Sequence, residues 1–107
     1  MDKITINQFM IENMDGIKEI IGQLKRNFDS HDFIKRFAKK YQKEYMSFLS
    51  QYTIDLFEKV HQQIGRFLAV NQTLLGIQSK GRTKSENIFG EVTENEMWQK
   101  INKPKKD

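Results

Sequence analysis

The sequence predicts a mainly α-helical domain with a small β-hairpin, an α+β fold. Three observations lead there. Apolar residues recur at i, i+3 and i+4 through most of the first 70 positions, the spacing of amphipathic helices. That spacing stops after Asn71, where glycines at 76, 81 and 90 punctuate a polar stretch suited to strands and a turn. The length of 107 residues, with a 37% hydrophobic and 11% aromatic share, suits one modest, aromatic-rich core.

The first helix is expected over residues 5–27. Ile6, Phe9, Met10, Met14, Ile17, Ile20, Ile21, Leu24 and Phe28 carry its stripe, and Thr5 or Asn7 can cap its start. Gly16 and Gly22 each weaken it by about 1 kcal/mol relative to Ala, and Gly16 is a candidate break. Asp29 or Ser30 can cap a second helix, with Asp32 in its first turn. Phe33, Ile34, Phe37, Tyr41, Tyr45, Phe48, Leu49 and Tyr52 extend that helix to about residue 52.

The third helix follows Thr53 or Asp55 as N-cap and runs to Val70 or Asn71, with Asn71 a candidate left-handed C-terminal residue. Phe57, Val60, Ile64, Phe67 and Leu68 form one face, and Lys59, Gln62, Gln63 and Arg66 form the other. Strands at Leu75–Ser79 and Ile88–Val92 would then flank a basic loop, Lys80–Asn87, bearing Lys80, Arg82 and Lys84. Thr93-Glu-Asn-Glu96 reads as the capping box of a short last helix with Met97, Trp98 and Ile101 buried, stopped by Pro104. The expected organisation is one domain over 1–102 and a basic tail over 103–107.

Composition narrows the chemistry. The absence of cysteine removes disulfides, thiolate metal sites and a cysteine nucleophile. No apolar run approaches ~18 residues and no signal-type apolar region opens the chain, so a cytoplasmic protein without a membrane span is expected. The two histidines, His31 and His61, lack metal-ligand spacing, and His61 falls at the margin of an apolar face, where a structural role is expected. No phosphate-loop signature, nucleophile with a base, or paired acids stand out, so the sequence points away from catalysis and calls for no cofactor.

The net charge of +4 is unevenly spread. Residues 29–52 and 72–90 each carry a net +2, and the other segments balance. Lys35, Arg36, Lys39 and Lys43 share one face of the second helix, the densest basic patch in the chain. Such a face suits phosphate contact, because cations held on a rigid element can neutralise neighbouring phosphates. Gln62, Gln63 and Arg66 are residue types that pair with base edges. Phe89 and Trp98 are the aromatics freest by position to stack on bases, though packing is the expected role of both.

The order helix, helix, helix, hairpin resembles a winged helix-turn-helix domain over roughly residues 5–92. The stretch Val60-His-Gln-Gln-Ile-Gly-Arg-Phe-Leu68, then Leu75-Gly-Ile77 and Gly81-Arg82, is similar to that family's reading helix, strand and wing. The resemblance implies that Lys59, Gln62, Gln63 and Arg66 face duplex DNA and that Lys80, Arg82 and Lys84 sit on the wing. Two features depart from the family: the second helix is about twice the usual length, and no strong strand pattern separates the first two helices. The expected partner is nucleic acid, DNA in preference to RNA. A protein-interaction module or homodimer is the alternative.

Overall fold

In the computed structural model, which describes residues 4–101, the apolar stripes fold as shorter helices than their spacing predicts. The expected first helix divides at Asn13 into α1 (Ile6–Glu12) and α2 (Met14–Gln23). The break is not at Gly16. Asn13 leaves helical geometry at φ −115°, and its side-chain amide donates to the Phe9 carbonyl at 2.8 Å. Thr5 caps α1 as expected, its hydroxyl accepting from Gln8 N–H.

The expected second helix also divides, into α3 (Ser30–Lys40) and α4 (Gln42–Leu49). No glycine or proline marks this break. Tyr41 turns to φ −116° and ψ 55° and packs its ring against Phe9 and Phe37, with centroids 5.1 and 5.4 Å away. Gly16 admits it, because a Cβ at 16 would lie 1.8 Å from the Tyr41 hydroxyl. The glycine therefore serves a close approach between α2 and the α3–α4 junction rather than a break.

Helix α5 (Leu56–Val70) matches the expected third helix and buries Val60, Ile64, Phe67 and Leu68. Its N-cap, Asp55, sits in the left-handed region at φ 52° and makes no side-chain cap bond. Asn71 is not left-handed as expected. Its amide donates to the Phe67 carbonyl at 2.9 Å, a single turn α6 (Gln72–Leu75) follows, and Gly76 takes the left-handed position at φ 68°.

A strand the sequence did not announce, β1 (Asn27–Asp29), lies between α2 and α3. The hairpin is longer than expected and set later, as β2 (Ile77–Glu86) and β3 (Val92–Lys100), with a bulge between Ser79 and Arg82. Residues 88–91, expected to begin a strand, lie with Asn87 in the turn. There the Asn87 side-chain oxygen accepts from the N–H groups of Phe89 and Glu91. The sheet is antiparallel in the order β1-β3-β2.

The expected C-terminal helix is absent, because its residues form β3, the central strand. A capping box contributes about 1 kcal/mol, and a helix of nine residues alone is marginal in water. Against that, β3 gains two ladders and buries Trp98 to 1% exposure, with the indole N–H donating to Ser30 Oγ at 3.0 Å. Burying a large apolar side chain contributes about 1.5–3 kcal/mol, so the tertiary term wins. The core runs from Met10 and Ile17 through Phe33, Phe37, Ile64 and Phe67 to Ile77 and Trp98. The tail expected at 103–107 lies outside the described residues.

Candidate nucleic-acid interface

Among the described residues two grooves stand out, and their charges are opposite. The first lies between the end of α2, β1 and α3. It encloses about 620 Å³ and collects Lys25, Lys35, Arg36 and Lys39. Lys35 and Lys39 are one turn apart on α3, where side chains stand about 5–6 Å from each other. Among the described residues, Asp32 is the one carboxylate lining this groove. It is already engaged in the capping box that starts α3: Asp32 Oδ2 accepts from Asp29 N–H at 3.1 Å, and Asp29 Oδ1 accepts from Asp32 N–H at 2.9 Å. Arg36 donates to Gln23 Oε1 at 3.5 Å, which links α3 to α2. Residues 23–43 hold seven basic and two acidic side chains, a net of +5.

Three residues of the expected basic face, Lys35, Arg36 and Lys39, are thus brought together. Lys43 is exposed but stands on α4, beyond the break at Tyr41. Lys25 belongs to this groove and was missed by sequence reasoning, which placed it inside a helix, where it carried no signal.

The second groove, of about 1090 Å³, lies between α5 and the hairpin. The wing and reading-helix residues expected to face DNA are arranged around it less favourably. Arg66 and Gln62 are exposed along it, and Gln62 approaches Glu58 Oε1 at 3.4 Å. Lys59 is exposed with its ammonium 5.4 Å from the centre of the Tyr52 ring. Gln63 is half-buried and donates to Tyr52 Oη at 2.5 Å and to the Lys59 carbonyl at 3.3 Å, so its amide is committed within the fold.

Lys80, Arg82 and Lys84 lie on strand β2 and not on a loop tip. Arg82 reaches Glu96 at 3.5 Å and Glu94 at 3.9 Å, and Lys84 pairs in register with Glu94. Over residues 77–100, four basic side chains meet four acidic ones, so the hairpin carries no net charge. Phe89 is not packed away as expected. It is 57% exposed on the turn, in edge contact with Phe57 at 4.8 Å between centroids.

Both histidines are hydrogen-bonded within the fold. His61 Nε2 lies 2.6 Å from Tyr45 Oη, and either neutral tautomer serves, donating to the hydroxyl or accepting from it. Burial, helped by the nearby His31, pushes the His61 pKa down to about 4, and burial pushes Tyr45 up to about 12. His31 Nδ1 stands 2.9 Å from Ser85 Oγ and Nε2 stands 3.3 Å from Thr93 Oγ1. Its backbone N–H donates to Asn95 Oδ1 at 2.8 Å, which fastens the hairpin to the start of α3. Desolvation lowers the His31 pKa as well.

Among the described residues, no three His, Cys, Asp or Glu side chains gather as a metal set, and no helix is long and apolar enough to cross a membrane. No family model, curated protein or solved structure matches this chain.

Proposed function

We propose that this is a non-enzymatic, winged-helix-like domain that binds duplex DNA. In this reading it holds the phosphate backbone mainly on the α2–β1–α3 face. The observation that carries it is the confinement of positive charge. Lys25, Lys35, Arg36 and Lys39 share one groove in which Asp32, the one carboxylate among its described lining residues, is engaged in a helix cap, while the charges of the hairpin balance. Lys and Arg on a rigid face supply the salt-dependent, sequence-independent part of nucleic-acid affinity. The one aromatic in that groove, Phe28, is buried, so the face offers no ring for stacking bases, which favours a duplex over a single strand.

The topology adds support. A strand between the early helices pairs with the last strand, and the longest helix leads into the hairpin, an order consistent with a winged helix. Exposed Lys59 and Arg66 on α5 would add weaker contacts beside Glu58.

Fluorescence anisotropy with a labelled 20-base-pair duplex at several salt concentrations tests this. Replacing Lys35, Arg36 and Lys39 together by Ala should weaken binding and lower the salt slope by about 2–3. Replacing Arg82 and Lys84 together should change affinity less than about twofold, because Arg82 reaches Glu94 and Glu96 and Lys84 pairs in register with Glu94. Absence of salt-sensitive binding by the wild type at low ionic strength would sink the reading.

A further inference from the structure

The α5–hairpin groove is poorly suited to phosphate. Glu58, Glu91, Glu94 and Glu96 line it against two guanidiniums, and one of those, Arg82, is shared by Glu94 and Glu96. The neutral forms of His31 and His61 add no positive charge to its floor near neutral pH.

Shape and aromatic exposure supply a second, separate observation. At one end of the groove Phe57 and Phe89 meet edge to face, and Glu58 and Glu91 flank that pair in sequence. The turn that presents Phe89 is held by Asn87, through its side-chain oxygen and through a bond from Gly90 N–H to its carbonyl at 3.0 Å. Phe89 stays 57% exposed on this turn, so its ring and that of Phe57 present an aromatic surface at the end of the groove. Along the α5 wall Gly65 has no neighbouring atom within 4 Å of where a Cβ would sit, so a chain can approach the helix closely there.

We infer that this groove receives an extended, arginine-bearing segment of a partner protein. A guanidinium would lie against the Phe57–Phe89 pair, between Glu58 and Glu91. Arginine suits this end better than lysine, because its planar cation stacks on rings and pairs with carboxylates by a fork of donors. The domain would then bridge a polyanion on one face and a cationic protein segment on another.

Titration of isotope-labelled full-length protein with acetylated hexa-arginine amide, followed by NMR, tests the inference. Amide shifts should cluster at Glu58, Gly65, Phe89, Glu91 and Glu94, with hexa-lysine amide binding more weakly. Glu58→Gln with Glu91→Gln should weaken binding at least tenfold. Gly65→Leu keeps every charge and raises helix propensity, so it should fold, and it should weaken binding comparably by filling the wall. Lys35→Ala with Arg36→Ala should leave peptide binding unchanged. Shifts scattered over Glu12, Asp15 and Glu19, or wild-type binding by Gly65→Leu, would overturn the inference. So would duplex DNA shifting the groove amides in preference to those of α3.

Discussion

At the scale of single residues, position relative to the core decides what each polar group does. His61 and Arg66 stand five residues apart on the same helix, yet one is held against Tyr45 and the other is exposed. The lowered pKa of His61 makes folding pH-dependent. The folded value of about 4 lies below the ordinary value of 6.5, so the unfolded chain takes up a proton that the folded chain refuses. Stability is full above about pH 6.5 and is lost as pH falls toward 4, by about 2 kcal/mol once partial solvent exposure is allowed for. Urea midpoints at pH 7.5 and pH 4.5 check this. The wild type should lose more stability across that interval than His61→Asn, which has no group to titrate there. Equal losses would mean that His61 is solvated.

At the scale of elements, two glycines on α2 show how the same local preference gives opposite outcomes. Ala in place of Gly gains about 1 kcal/mol in a helix interior. At Gly22 no atom lies within 4 Å of the new Cβ, so Gly22→Ala should stabilise by about 0.5–1 kcal/mol. At Gly16 the methyl meets Tyr41, whose ring is fixed between Phe9 and Phe37. Overpacking of that kind costs about 1–3 kcal/mol, so Gly16→Ala should destabilise. Thermal or urea unfolding of the two variants separates them, and a stabilising Gly16→Ala would show that Tyr41 is free to move.

At the scale of the whole molecule, the last strand holds the sheet together. β3 lies between β1 and β2, carries Trp98 into the core, and anchors α2 through Lys100, whose ammonium donates to the Leu24 carbonyl at 2.6 Å. A chain ending at Gly90 should therefore lose cooperative folding, visible as collapsed amide dispersion and a missing thermal transition. A peripheral C-terminal helix would have allowed such a chain to keep a folded helical core. Charge is also organised at this scale. The cations of α3 and Lys25, in the connection between α2 and β1, converge because β1 leads the chain from one to the other.

The sequence by itself determined the α+β class, the buried face of α5, the exposed cations of α3 and the punctuation at Gly76. These follow from local periodicity and composition, which act over one or two helical turns. It also located His61 at the edge of the apolar face. Tertiary structure decided the breaks at Asn13 and Tyr41, the strand β1 and the conversion of residues 92–100 from expected helix to central strand. The break at Tyr41 and the two strands depend on partners distant in sequence, as Trp98 depends on Ser30 and Tyr41 on Gly16, whereas the bond at Asn13 is local, to Phe9. The same holds for the candidate sites. Arg82 and Lys84 read as free cations along the chain, and only the pairing of β2 with β3 sets carboxylates beside them.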